Sequence, residues 1–133
     1  MDFRTFGVAA IAATMTCSVP TVAQDMDIGE RHFGQYCSTC HGLDAKGGGD
    51  LAQMMTTAVP DLTKLSAGNH NVFPMLEVIH VIDGRTGLRG HGGPMPVYGA
   101  LFDEEISSGP YGAPLYTRGK ILSIAYFLEQ IQK

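Results

Sequence analysis

The sequence predicts an all-α domain that folds around something besides its own side chains. No stretch alternates apolar and polar residues for long enough to make a strand, so the helical period is the one to follow. Two stretches, 73–83 and about 118–132, set their apolar residues on one helical face. Of the 133 residues, 17 are glycine and none is tryptophan, a composition of loops wrapped round a group that replaces part of the core. A chain of this length makes one domain. An apolar group at its centre would offset the shortage of core that small domains face.

Residues 1–23 read as a secretory signal peptide. Arg4 supplies the positive start, Phe6 to Met15 an Ala-rich apolar run, Pro20 a break, and Thr21-Val22-Ala23 a small-residue cleavage site before Gln24. The plain alternative is a buried N-terminal helix. The apolar run is short for a membrane span, and a membrane association is expected only if this segment is retained. Cys17 is a poor lipid site, since the preceding Ala13-Thr14-Met15-Thr16 lacks the Leu of a lipoprotein signal. The folded domain is expected over 24–133.

A first helix is expected over 26–40, capped by Asp25 or Asp27, with Glu30 favourably placed in its first turn. Gly29 lies four residues before Phe33, on the same face, where it admits a close helix neighbour. Gly42 is the expected stop. Residues 42–72 read mostly as loop, with short helical pieces at 51–57 and after Pro60-Asp61, and with Asn69 and Asn71 as turn or cap residues. Gly47-Gly48-Gly49 lacks the strand and the Lys-Ser or Lys-Thr of a phosphate-binding loop. Over 73–83, Pro74 suits a first turn, and Met75, Val78, Ile79 and Ile82 share a face that Gly84 ends. Residues 84–102 read as a Gly- and Pro-rich loop too long to be idle in a small domain. Asp103 is expected to cap a short acidic turn, and Pro110 and Pro114 to keep 107–116 in turns. The last helix is expected from about Arg118 to Gln132, capped by Thr117, with Ile121, Ile124, Phe127, Leu128 and Ile131 on one face.

The formal charge of −4 is spread along the chain with no basic stripe, so nothing supports nucleic-acid binding. The three cysteines are Cys17, Cys37 and Cys40. If the leader is removed, only the last two remain, within Cys37-Ser38-Thr39-Cys40-His41. This is C-x-x-C-H, the pattern for covalent attachment of a c-type haem. Each thiol can form a thioether to one vinyl group, and the histidine that follows presents an imidazole nitrogen to the iron. Export agrees, because c-type haem is attached outside the cytoplasm in bacteria.

With His41 as one axial ligand, the other must come from His32, His70, His80, His91, Met54, Met55, Met75 or Met95. Met95 is the best of these. It stands in Gly93-Pro94-Met95-Pro96, where two prolines fix the backbone and present a weak thioether ligand rigidly. It lies on no periodic apolar face, so core filling explains it poorly. Core filling explains Met75 well, and Met54 or Met55 too. His91 is the main rival. His80 lies opposite the apolar face of its helix, and His32 is expected to be exposed.

At this point the chain resembles the class I cytochrome c family, in its small, exported, single-haem bacterial form. The resemblance rests on Cys37-x-x-Cys40-His41-Gly42, on Met95-Pro96 about fifty residues later, and on Ile124-Ala125-Tyr126-Phe127-Leu128 near the end. It implies a helical domain wrapped around one covalent haem c, bound by Cys37 and Cys40 and ligated by His41 and Met95. It also implies that Gly29 and Phe33 of the first helix cross Ile124 and Phe127 of the last. Family members often carry a proline soon after the haem histidine, whose carbonyl holds the imidazole N–H; here the nearest is Pro60, nineteen residues on. The stretch from Met95 to the last helix is also longer than in the shortest members. Arg85 reads equally as a haem-propionate partner and as a solvated cation at a helix end. Tyr98 and Phe102 read equally as haem packing and as core.

A haem closed by His and Met has no open position, and Met raises its reduction potential. The expectation is a periplasmic electron carrier, not an enzyme, moving one electron between redox protein partners: a reductase or dehydrogenase and an oxidase. The alternatives are a haem subunit of a dehydrogenase complex, a haem enzyme or ligand sensor with a labile methionine, and a haem-free thiol oxidoreductase using the C-x-x-C pair. Zinc bound by that pair and two histidines has the wrong histidine spacing for a finger.

Overall fold

The computed structural model describes residues 21–85, 93–104 and 109–133. Among them there is no strand, and the helices are α1 (Thr21–Tyr36), α2 (Ser38–His41), α3 (Met75–Asp83), α4 (Tyr98–Glu104) and α5 (Gly109–Gln130). Single 3₁₀ turns cover Ala52–Met54 and Leu62–Lys64. The all-α expectation therefore holds for the described residues. The expected leader, residues 1–20 above all, lies outside them, and the expected cleavage point after Ala23 falls in the first turn of α1.

The most extensive packing is between α1 and α5. A Cβ at Gly29 would lie 2.3 Å from the Ser123 carbonyl oxygen and 2.8 Å from the Phe127 Cβ, so only glycine lets the two backbones approach this far. One turn on, the Phe33 and Phe127 rings pack with centroids 5.3 Å apart. His32 is half-buried rather than exposed, because the same crossing brings its Nδ1 to 2.9 Å from the Ser123 hydroxyl. Phe33, Phe102, Ile121, Ile124, Ala125 and Leu128 form the centre of the core. Full burial of a large apolar side chain is worth about 1.5–3 kcal/mol, so this seam is the main support of the fold.

α3 adds Val78 and Ile82 to the core, with Met75 and Ile79 packed at its edge. His80 points to solvent, as its register requires. Gly84 closes the helix through its N–H to the His80 carbonyl, 3.0 Å away.

Four boundaries differ from expectation. The first helix starts at Thr21 rather than 26, so Asp25 and Asp27 lie within α1 and not at its cap position. The first helix breaks at Cys37, and α2 is a separate turn. The region read as loop through 102 contains α4, held by the buried side chain of Phe102. α5 starts at Gly109 and runs through Pro114. A proline there removes one bond near the helix start, and the packing of the rest of α5 outweighs that cost. Consequently Thr117 is no cap: it is buried inside α5, and its hydroxyl donates to Asp103 Oδ1 at 2.5 Å. Asp103 likewise caps no turn but lies in the last turn of α4.

Candidate functional site

The site begins where α1 ends. The Cys37 N–H still bonds to the Phe33 carbonyl at 2.8 Å, and the Cys37 carbonyl accepts from the N–H groups of Cys40 at 3.2 Å and His41 at 2.9 Å. That turn gathers positions i, i+3 and i+4 on one side, so Cys37, Cys40 and His41 line a common wall. The carbonyls of α2 do not point unsatisfied into the protein. Gly42 bonds back to Ser38 at 2.7 Å, Gly47 to His41 at 2.8 Å, Gly49 to Cys40 at 3.1 Å and Leu51 to Thr39 at 2.9 Å. The triple glycine is thus a cover laid on the back of the motif turn.

In front of that wall is a cavity of about 530 Å³, within the range that holds cofactor-sized ligands. Its lining is mainly apolar: Phe33 from α1, Val78 and Ile82 from α3, Ile124 and Leu128 from α5. Pro94, Met95 and Pro96 line it too, and Met95 is half-buried against the core. All four sequence-predicted site residues, Cys37, Cys40, His41 and Met95, therefore meet at one cavity. Both described cysteines are free thiols.

Electrostatics follow from burial. The Cys37 thiol is pushed up to about 12, first by burial and then by the neighbouring Cys40. His41 is held below its ordinary value by burial, while Pro60, which has only a carbonyl to offer, acts in the opposite sense. Pro60 and His41 line the same cavity. His41 Nδ1 is nevertheless buried without a partner in full hydrogen-bond geometry, the single such side-chain atom among the described residues. Tyr98 also lines the cavity; its hydroxyl is raised to about 12 by burial and by the two thiols, and it donates to the Tyr36 carbonyl.

Of the remaining ligand candidates, only Met55 shares the cavity with the four predicted residues among those the structure describes. His32, His70 and His80 are not at the cavity, Met75 fills core, and Met54 is exposed. Met55 lines the cavity alongside Met95. His91 lies outside the described residues. Tyr98 belongs to the cavity and Phe102 to the core. Arg85 does not line the cavity; it is an exposed cation just past the end of α3, and its guanidinium is held by Asp83 and Asp103.

One residue escaped the sequence reading. Lys120 is buried, donates to the Tyr36 hydroxyl at 2.6 Å, and lies 4.4, 4.6 and 4.9 Å from the ring centroids of Tyr36, Phe102 and Tyr116. The signal was present: Lys120 precedes Ile124 by four residues and so shares the buried face of α5.

Among the described residues no three His, Cys, Asp or Glu side chains converge on a metal-ion site, and no helix is long and apolar enough to cross a membrane. Comparison with protein-family models, with curated proteins and with solved structures finds no match to this chain.

Proposed function

We propose that this chain is a one-electron carrier built on a single covalent haem c, working in the periplasm between a reductase or dehydrogenase and an oxidase. The observation that carries the reading is the common cavity. Two free thiols and a histidine from one helical turn form one part of its lining, a methionine between two prolines forms another, and the space between is apolar and about 530 Å³. That donor set and that lining fit a haem and do not fit a bare metal ion.

In this reading Cys37 and Cys40 would hold the group covalently, and His41 and Met95 would be the residues that ligate its iron. When bound, a His/Met haem supplies a reversible one-electron couple at a potential raised by the thioether. The protein's part is positional. Core side chains from α1, α3 and α5 give the cavity its apolar lining. Pro94 and Pro96 restrict the backbone on either side of Met95. The Pro60 carbonyl acts on the His41 imidazole, and a partner to its buried Nδ1 would fix the ring's orientation. Cys37 and Cys40 mark the edge that partner proteins would approach. The overall family likeness, a cytochrome c-like domain, rests on the same residues and on the Gly29–Phe127 crossing. Export rests on residues 1–23 alone.

Thiol–disulfide exchange is supported less well, since reactive C-x-x-C cysteines have lowered pKa values and Cys37 is raised to about 12. The deciding experiment is production of the full chain with a haem-attachment system, followed by a pyridine haemochrome assay and an absorption spectrum. Covalent haem with a Met-to-iron charge-transfer band in the oxidised protein is expected. Absence of covalent haem would overturn the reading. Covalent haem without the band would overturn Met95 as ligand and turn the assignment toward a sensor or enzyme.

A further inference from the structure

We propose that Arg85 is a positioning residue for Met95, joining the two ends of the chain segment that carries that methionine. The inference rests on Met95 being an iron ligand, but its argument comes from residues outside the cavity. The segment leaves α3 at Gly84 and enters α4 at Tyr98, and its ends touch: a Cβ at Gly84 would lie 3.2 Å from the Val97 Cα. Beside this contact the Arg85 guanidinium forms a fork. Nε reaches Asp83 Oδ1 at 2.7 Å, one terminal nitrogen reaches Asp83 Oδ2 at 2.8 Å, and the other reaches Asp103 Oδ2 at 2.6 Å. Asp103 is fixed in turn by the buried Thr117 hydroxyl of α5. The end of α3, the end of α4 and the middle of α5 are thus joined through Arg85 and Asp103.

Two further features belong to the same junction. A Cβ at Gly99 would lie 2.5 Å from both Arg85 Nε and Asp83 Oδ1, so a glycine at this position is what admits the guanidinium. The next residue back, Tyr98, donates its hydroxyl to the Tyr36 carbonyl, one residue before Cys37. The exit of the Met95 segment is therefore tied both to the ion cluster and to the wall that bears the cysteines. Isolated exposed ion pairs contribute little. This one is bidentate, shared between two carboxylates whose side chains are 20% and 33% exposed, which is the geometry in which such pairs count. A thioether is a weak ligand and gains from having its segment closed beforehand, because the entropy of closing the ends is then already spent. Arg85 supplies that closure without touching the cavity.

The test uses the full chain made with a haem-attachment system, in five forms: wild type, Arg85→Met, Arg85→Lys, Asp103→Asn, and His32→Ala as a destabilising control at the α1–α5 crossing. Imidazole is titrated into the oxidised protein while the Met-to-iron charge-transfer band is followed. Imidazole binds only when Met95 is away from the iron, so its apparent affinity rises with that fraction. Arg85→Met is expected to bind imidazole on the order of tenfold more tightly than wild type. Asp103→Asn should move the same way, Arg85→Lys should fall between, and His32→Ala should match wild type. Unchanged affinity in haem-loaded Arg85→Met and Asp103→Asn overturns the assignment, as does an equal gain in His32→Ala. If Arg85→Met does not fold, Asp103→Asn and Arg85→Lys decide by the same readout. A wild type with no covalent haem, or with haem but no band, removes the premise and overturns this inference together with Met95 ligation. A haem-loaded wild type with unaffected variants overturns only the role of Arg85.

Discussion

Gly29 of α1 and Phe127 of α5 meet at a distance that leaves no room for a methyl group: a Cβ at position 29 would stand 2.8 Å from that of Phe127 and 2.3 Å from the Ser123 carbonyl oxygen. The second contact is the stricter one, because a backbone oxygen cannot rotate away. The crossing also supports the cavity, since Phe33 from α1 and Ile124 and Leu128 from α5 line it beside the crossing point.

Gly29→Ala should therefore destabilise the fold by about 1–3 kcal/mol, the usual cost of overpacking. Gly34 sits in the same helix with nothing within 4 Å of its would-be Cβ. Gly34→Ala should instead stabilise by about 0.5–1 kcal/mol through helix propensity. Denaturant unfolding of the two variants checks the pair, and equal effects would contradict the close-approach argument.

Met95 and Met55 both line the cavity, so composition of the wall alone does not choose between them. Rigidity does: Met95 is flanked by two prolines, and Met55 follows a single 3₁₀ turn. Met95→Leu should abolish the Met-to-iron charge-transfer band and lower the reduction potential in the presence of a nitrogen ligand. Met55→Leu, of similar volume, should leave the band in place and cost under about 1.5 kcal/mol of stability. Spectra and denaturation of both variants give the answer.

How far the sequence carried depended on how local each signal was. Cys37, Cys40 and His41 are fixed by one turn, and the heptad-like faces of 73–83 and of the last helix by their period, so both were legible. α4 was not, because Tyr98–Glu104 is short and its stability comes from Phe102 buried among residues distant in sequence. Pro110 and Pro114 argued for turns, and tertiary packing overrode them. Arg85 read equally as a haem-propionate partner and as a solvated helix-end cation, and its bonds to Asp83 and Asp103 were not legible because they depend on α3 and α4 ending side by side. The triple glycine gave no local hint that its N–H groups would bond to the carbonyls of the motif turn.

Lys120 is the most exacting buried group. A desolvated cation over aromatic rings gains up to about 2 kcal/mol, and its bond to the Tyr36 hydroxyl adds a charge-assisted contribution of about 1.5–3 kcal/mol. Lys120→Ala should accordingly lower stability by more than about 2 kcal/mol. Lys120→Met, which keeps much of the volume, should lose less. Thermal or denaturant unfolding of the two orders them, and the reverse order would argue against the aromatic cage as the source of the energy.

Asp83 sets an acid limit on stability. Its carboxyl is held below the ordinary range, first by hydrogen bonds from the Arg85 side chain and then, against the effect of burial, by the Arg85 N–H and charge. A carboxyl whose folded pKa is depressed contributes stability above its unfolded value, near 4. That contribution is lost as pH falls through the lower folded value, because the unfolded state then binds the proton more readily. Unfolding free energy should therefore decline as pH is lowered from about 5 to about 2. In Arg85→Met the Asp83 pKa returns toward its unfolded value, so this part of the decline should flatten. Asp83→Asn should remove it while leaving Asp61, which Thr63 and Lys64 depress independently, to provide the residual slope. Denaturant unfolding at a series of acid pH values compares the three slopes, and a variant slope as steep as the wild type's would remove Asp83 from the account of acid stability.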